Sequence, residues 1–296
     1  MAPEPDLRRL ASLLDDEDES VAVNAMAELL LREDELGTLP GELQEHPDPL
    51  MRRRAHQLQA ALTYRRRRRE FAAMLRAPEV AFVPGLIALH MQWYDNDSMP
   101  AIAERVAVFL HSLSNRSVFS LEDIAYQMHR AELAAECETT LRPENYCIGT
   151  ILANRSGSAA ILSGLGRELA ASPEDFRIVR ALGDFAVYDG ERLLIGARDW
   201  RIVPAPGVRD LEFWEPRSIL ALAADLLFGS AVNSDSFRYV LTLAQAMSGE
   251  EDDYPLNFLP YPYRPCAEAD CGDAAEQDPP PPEGDAGEEE EGEDER

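Results

Sequence analysis

The chain lacks lysine, has few cysteines and contains no long apolar run, and each shortage argues against a class of function. All 28 basic residues are arginine, which leaves the N-terminal amine as the only amine able to accept an acyl group. Four cysteines in 296 residues are too few for a disulfide scaffold. No run approaches the roughly 18 apolar residues that cross a membrane. Because the acidic N-terminus also has no signal-peptide pattern, we expect a cytoplasmic, reduced protein without a membrane contact.

Candidate metal ligands are also sparse. Cys266 and Cys271 are separated by four residues, but no histidine lies near them to complete a zinc site. His90, His111 and His129 fall in predicted helices at separations that do not suggest a metal triad. We interpret these three as packed or surface histidines. The sequence therefore predicts neither a metal site nor a cofactor.

Negative charge is in excess, and it is concentrated towards the C-terminus. The formal net charge is -27, and residues 250–296 contain 18 acidic residues against two arginines. An acidic body repels nucleic-acid phosphates and anionic lipid, so we expect neither as a main partner. From about Ala267 the composition is acidic and includes four consecutive prolines, which is typical of a disordered segment. We predict that this acidic tail, residues 250–296, solubilises the chain or binds basic surfaces of a protein partner.

Residues 1–66 show a weak repeat that predicts two helical hairpins. An acidic turn with Asp18 precedes a helical pattern containing Ala25, and Asp48 precedes Ala55 in the same way thirty residues later. An acidic residue before apolar residues at helical spacing is typical of a capped helix. The pattern resembles HEAT repeats, and we expect the hairpins to pack on the central part of the chain.

Two arginine runs, Arg52–Arg54 and Arg65–Arg69, form the only strongly basic region. A patch for anions or nucleic acid is one interpretation, but apart from Tyr64 and Phe71 it lacks the interleaved aromatic residues that stack on bases. A solvated helix face, or a face neutralised by nearby acids, is the alternative. A contact with the acidic tail is a third possibility.

Residues 67–208 begin with a helical lead-in. The spacing of Phe82, Leu86, Leu89 and Trp93 predicts one buried stripe along a helix. Pro78 is expected to end the preceding helix, because the residue before a proline is restricted to extended conformations. Further on, Ser120-Leu121-Glu122-Asp123 is a capping sequence that predicts the start of another helix.

The centre of this region is a turn, a helix and two strand-like runs. Asn145-Tyr146-Cys147 leads to the turn Arg155-Ser156-Gly157-Ser158 and to an apolar helix from Ala159 to about Ala170. Strand-like runs follow at 176–182 and 185–195, the second with an Asp189-Gly190 hairpin turn. Asn-Tyr followed by this turn into an apolar helix resembles the SirB-type transglutaminase-like family of bacterial proteins.

The resemblance implies a papain-like core whose catalytic residues have been lost. The family's nucleophile would fall near Ala159, its histidine at Asp184 and its carboxylate at Gly196, although Asp199 lies three residues further on. An aspartate near its ordinary pKa of ~3.9 cannot replace imidazole as a base at neutral pH. Cys147 is the only nearby thiol, and we interpret it as a small buried apolar group. We therefore predict no catalytic residue.

Three polar residues at motif positions mark a possible remaining cleft: Asn145, Arg155 and Asp184. Each also has a structural interpretation, which we favour over ligand binding. Arg155 would bind carbonyl groups at the helix turn, and Asn145 would cap a turn. The sequence alone leaves both interpretations open.

Residues 209–249 predict a C-terminal helical hairpin that resembles a single tetratricopeptide unit. One helix would begin at Trp214 and the second at Phe237. With the N-terminal hairpins, the lead-in and a small core with antiparallel strands, the fold class is α+β and mainly helical. We expect a non-catalytic transglutaminase-like protein that acts as a protein-binding or scaffold module. The alternative is a cysteine-type hydrolase or acyltransferase with a non-standard nucleophile.

Overall fold

The computed structural model describes residues 5–113, 118–136, 141–234 and 236–248. These residues form a mainly helical α+β fold with a small antiparallel sheet, as predicted. Eleven α-helices lie in this part of the chain: α1 Pro5–Ser12, α2 Glu19–Leu31, α3 Leu39–Gln44, α4 Pro49–Arg76, α5 Phe82–Trp93, α6 Met99–Leu113, α7 Leu121–Arg130, α8 Ile148–Asn154, α9 Ala159–Glu168, α10 Pro216–Asn233 and α11 Phe237–Ser248. Its strands are β1 Ala134–Glu136, β2 Ser156–Ser158, β3 Arg177–Ala181, β4 Asp184–Tyr188, β5 Arg192–Ile195, β6 Arg201–Pro204 and β7 Glu212–Trp214.

The two matching aspartates of the N-terminal repeat are both helix caps. Asp18 accepts a hydrogen bond from the backbone of Ser20 at the start of α2. Asp48 accepts one from the backbone of Leu50 at the start of α4, where Pro49 occupies the first helical position. Each carboxylate satisfies a backbone N–H that has no partner within the helix. The acidic turns therefore predicted the two helix starts correctly.

The N-terminal helices enclose a hydrophobic cluster of their own. Its buried members come from α1 to α4 and their connections: Leu7, Ala11, Leu14, Ala25, Met26, Leu29, Leu30, Leu36, Leu39, Leu43, Met51, Ala55, Leu58 and Ala61. Helix α4 continues past this cluster and carries Phe71 into the main core. The boundary predicted after residue 66 thus falls inside a continuous helix of 28 residues.

The expected helix boundaries in the lead-in are observed. Helix α4 ends two residues before Pro78, and Ala77 is extended. The stripe of Phe82, Leu86, Leu89 and Trp93 is buried on α5. Helix α7 begins with a capping box in which the side chains of Ser120 and Asp123 each accept a hydrogen bond from the other residue's backbone N–H. These interactions are local, which is why sequence patterns could predict them.

The sheet has five antiparallel strands in the order β6-β5-β4-β3-β7. Strands β3 and β4 are joined by Leu182 and Gly183, both with positive φ, as a tight hairpin requires. The predicted Asp189-Gly190 turn joins β4 to β5, with Gly190 at φ 104°. Arg180, which interrupts the apolar face of β3, extends its guanidinium over the ring of Phe185.

Both faces of the sheet are covered. One face packs on α9 and on α7 and belongs to the main core through Ile178, Phe185, Val187 and Leu194. The other face holds a separate apolar cluster: Val179, Ala181, Ala186, Leu193, Ile195 and Leu211. Strands β6 and β7 lie at opposite edges, so the connection 205–211 must cross the sheet, and Leu211 packs on the second face.

Four short strands were not predicted: β1, β2, β6 and β7. Strands β1 and β2 pair in parallel, β6 pairs with β5, and β7 pairs with β3 at the sheet edge. The prediction of a helix from Trp214 was wrong at its start, because Trp214 ends β7 and α10 begins at Pro216. Strands of three or four residues have no detectable periodicity, and their pairing depends on residues distant in sequence.

The C-terminal hairpin is part of the main core. Helices α10 and α11 pack on each other, and α11 also packs on α4 and α5. The ring of Tyr239 stacks on Trp93 of α5 at 4.1 Å between centroids. Among the residues that the structure describes, no helix is long and apolar enough to span a membrane.

The close contact between α9 and α5 allows us to predict how a substitution at Gly164 changes stability. A Cβ atom at this position would lie 2.3 Å from ring atoms of Phe82, a buried side chain. Gly164→Ala should therefore lower the free energy of unfolding by about 1–3 kcal/mol, because overpacking outweighs the gain in helix propensity. Denaturant unfolding measures the change.

Gly41→Ala is the matched control for this substitution. Gly41 also lies in a helix, but a Cβ atom there meets nothing within 4 Å. This variant should be stabilised by roughly 0.5–1 kcal/mol. Equal stabilisation of both variants would contradict the close packing of Gly164 on Phe82.

Candidate functional site

The three polar residues predicted to mark a cleft do not come together at one site. Asn145 lies in a short 3₁₀ turn before α8, is buried, and lines a pocket of about 540 Å³. Neither Arg155 nor Asp184 lines that pocket. Of the three, only Asn145 is placed where it can contact a ligand in this pocket.

Arg155 has a structural role that differs from the one expected. It follows α8 with φ 57°, so its backbone is left-handed and turns the chain into β2. Its carbonyl oxygen accepts a hydrogen bond of 2.8 Å from the backbone of Ala134. Within the described residues its guanidinium lies over the ring of Phe109 at 5.2 Å from the centroid, and not on carbonyl groups of the helix turn.

Asp184 is held in an ion pair. Its carboxylate accepts a hydrogen bond of 2.9 Å from Nε of Arg198, whose Nη2 also donates to the carbonyl oxygen of Leu182. Sequence reasoning did not identify Arg198, which lies in a 3₁₀ turn after β5. The pair ties the β3–β4 hairpin to the end of β5, and it occupies the position at which the family resemblance places a catalytic histidine.

The other two positions implied by the resemblance hold no reactive group. Ala159 is the first residue of α9 and is buried. Ser158 before it is the N-cap, and its hydroxyl accepts from the backbone of Ile161. Gly196 follows β5, and a Cβ atom there would approach Trp200 and Ala135 to 3.0 and 3.1 Å. A carboxylate at Gly196 would therefore have to displace the Trp200 ring.

Cys147 is an inert thiol in this environment. It is fully buried, and burial is the main cause that raises its pKa well above the ordinary value. Glu144 and Asp97 raise the pKa further because their negative charges oppose a thiolate. Since the thiolate is the nucleophilic form, the group is poorly suited to covalent catalysis.

Two histidines lie close to aspartates. His90 is buried, and its Nε2 is 3.0 Å from Oδ2 of Asp97. His129 and Asp199 are exposed, with Nδ1 and Oδ1 3.7 Å apart. In the described residues no group of three His, Cys, Asp or Glu side chains is placed to hold a metal ion.

Burial determines the protonation of His90. It lowers the pKa of the imidazole below 6.5, and the hydrogen bond and charge of Asp97 only partly oppose this. The ring of Tyr94 stacks on His90 at 4.9 Å, and burial likewise raises the pKa of Tyr94 to about 12. Both groups are therefore neutral at pH 7, and the cluster is part of the core.

Most arginines of α4 form hydrogen bonds to other segments of the protein. Arg54 donates to the carbonyl oxygens of Leu14 and Asp16, and Arg65 donates to that of Leu30. The other contacts follow the same pattern: Arg67 with the carbonyl of Asp95, Arg68 with Gln245 and Thr242, Arg69 with Glu33, and Arg76 with the carbonyl of Ser248. These guanidinium groups connect α4 to neighbouring segments, so they do not form a free basic surface.

A pocket of about 780 Å³ lies between α3 and α4. The two glutamates that line this pocket already form ion pairs with arginines of the protein. Glu42 binds Arg8 at 2.8 Å, and Glu33 binds Arg69 at 2.6 Å. Since these charges have partners, the pocket offers little that would select a ligand.

The pocket at Asn145 differs in this respect. It is lined by residues from β1, the 3₁₀ turn, the end of α8 and β2: Glu136, Arg142, Glu144, Asn145, Asn154 and Ser156. The parallel pairing of β1 with β2 brings Glu136 beside Ser156, whose hydroxyl donates to Oε1 of Glu136 at 3.1 Å. Sequence reasoning identified Asn145 alone, because the other residues join the site through an unpredicted strand pair.

Comparisons with known proteins found nothing similar to this chain. No protein-family model matches it, and neither the curated proteins nor the solved structures contain a match.

The buried imidazole predicts how stability depends on pH. Unfolded histidine titrates near 6.5, whereas folded His90 has a lower pKa. Below pH 6.5 the unfolded chain takes up a proton that the folded chain does not, so the free energy of unfolding should fall as pH falls. The expected slope from this residue is at most ~1.4 kcal/mol per pH unit.

Denaturant unfolding of wild type and His90→Gln between pH 7.5 and 5 measures this contribution. The difference in slope between the two proteins isolates His90 from the carboxylates that titrate in both. His56→Gln, which removes an exposed histidine from α4, is the control substitution. Identical slopes in wild type and His90→Gln would show that His90 is not held neutral by burial.

Proposed function

We propose that this chain is a non-catalytic, protein-binding module with a transglutaminase-like core. The observation that supports it most is the ion pair of Asp184 with Arg198, at the position where the resemblance would place a catalytic base. Ala159, at the corresponding nucleophile position, has no thiol or hydroxyl. A site with neither nucleophile nor base cannot perform the covalent chemistry of the catalytic relatives.

The binding half of the proposal rests on the charge of the chain. Residues 250–296 contain 18 acidic residues and two arginines, within a chain whose net charge is -27. A charge of this size attracts basic surfaces and speeds their association at low ionic strength. A protein partner with a basic surface is therefore the partner class that we propose.

The alternative is a cysteine-type hydrolase or acyltransferase with a non-standard nucleophile. Within the described residues, Cys147 is the only cysteine, and it is the thiol that such an enzyme would need. Its burial and its raised pKa weigh against that use, because attack requires an accessible thiolate. This contrast can be measured directly on the native protein.

Iodoacetamide should not label Cys147 in the native full-length chain at pH 7.5. The thiol is buried and neutral, whereas the same residue should be labelled in denaturant. Mass spectrometry of the peptide containing Cys147 follows the reaction, and the denatured sample is the control for reactivity. Rapid labelling of native Cys147 would favour the enzyme alternative over our proposal.

Affinity capture from the native host's lysate tests the binding half. The full chain should retain a partner in a fixed ratio. The 1–249 truncation should not retain this partner, and raised salt should release it, because screening shortens the Debye length from ~10 Å at 0.1 M to ~3 Å at 1 M. Asp184→Ala should retain the partner, since we place the contact in the acidic tail.

A full-length variant with the glutamates of 288–291 and 293–295 changed to glutamine, and Asp294 to asparagine, is the matched control. It keeps the length of the tail while removing much of its charge. Retention of the partner by this variant and by the truncation would contradict a tail contact. Loss in Asp184→Ala alone would move the binding site to the core.

A further inference from the structure

The pocket at Asn145 contains opposite charges that do not pair with each other. Arg142 lines it, and so do Glu136 and Glu144. Glu136 accepts a hydrogen bond from Ser156 but forms no ion pair within the described part of the chain. Arg142 and Glu144 likewise have no side-chain partner among the residues that the structure describes. Both signs of charge are thus available to a ligand.

Asn145 contributes an amide side chain to the pocket. The residue is only 8% exposed, and it lines the pocket. No hydrogen bond to its side-chain amide is found within the described residues. Because the amide has both a donor and an acceptor, it can bind an ammonium group or a carboxylate.

The size and walls of the pocket limit its ligand. A volume of about 540 Å³ lies within the ~300–1,000 Å³ typical of small-molecule sites. Every lining residue that the structure describes is polar or charged, so an apolar ligand would leave these groups unsatisfied. A simple anion would face two carboxylates, and a simple cation would face the guanidinium of Arg142. Only a ligand that carries both charges has a favourable partner for each of them.

We propose that this pocket binds a small zwitterion with an amino group and a carboxylate, namely a free amino acid or a dipeptide. Arg142 binds the carboxylate, while Glu136 and Glu144 bind the ammonium group, and Asn145 bonds to either. Because two carboxylates face one guanidinium, a ligand with an additional positive charge binds most tightly. This site is separate from the acidic tail and goes beyond the protein-binding function proposed above.

Isothermal titration calorimetry on the full chain tests the site with the twenty L-amino acids and the dipeptide Ala-Ala. At least one of these should bind, with lysine or arginine strongest among the amino acids. The N-acetyl and the carboxamide derivatives of the best ligand should each bind at least tenfold more weakly, because each removes one charge. Binding of Ala-Ala in preference to alanine would identify a peptide source over a free amino acid.

Arg142→Gln and Glu144→Gln should each weaken binding of the best ligand about tenfold or more. Both side chains are exposed, so the variants should fold normally. Arg53→Gln on α4 and Glu104→Gln on α6 are controls that remove the same charges from exposed positions elsewhere, and they should bind like wild type.

Three results would overturn the proposal. These are no binding by any of the probes, equal binding of the acetylated or amidated derivative, and unchanged affinity in both pocket variants. None of them affects the partner capture that depends on the tail, so this site and the proposed function can fail separately.

Discussion

Hydrogen bonds from arginine side chains of α4 to backbone carbonyls connect this helix to other segments of the described chain. Arg54, Arg65 and Arg67 donate to carbonyl groups at or beyond the ends of three other elements. Such carbonyls lack partners within their own helices, and a charged donor satisfies them strongly. A single nitrogen of Arg54, Nη1, donates to two of these carbonyls, those of Leu14 and Asp16. A helix of 28 residues therefore packs in both the N-terminal cluster and the main core.

In the core, two of the motif positions have different surroundings. The left-handed turn at Arg155 directs the chain from α8 into β2, and β2 pairs with β1. This pairing, with the 3₁₀ turn that contains Asn145, forms the wall of the pocket. At the sheet, the Asp184–Arg198 pair fixes the hairpin instead.

The functional proposals follow from which charged groups have partners. Arg54, Arg65 and Arg67 of α4 and the carboxylate of Asp184 are paired within the protein, which supports the proposal of a non-catalytic protein that does not bind nucleic acid. Arg142 and Glu144 remain available in the described part of the chain, and they support a site for a small ligand. The charge of residues 250–296 is a property of composition, and it supports a protein partner independently of the core.

The sequence by itself determined the elements whose causes are local. Asp18, Asp48 and Ser120 cap helices through contacts within a few residues, and Pro78 limits α4 through its own ring. The buried stripe of α5 and the Asp189-Gly190 turn likewise depend on short-range spacing. Only the tertiary structure decided the rest. Arg198 reaches Asp184 across fourteen residues, and Glu136 meets Ser156 across twenty, through a strand pair too short to be recognised. Interactions of this kind depend on where the packed elements meet, because hydrophobic burial fixes that arrangement and a local pattern does not contain it.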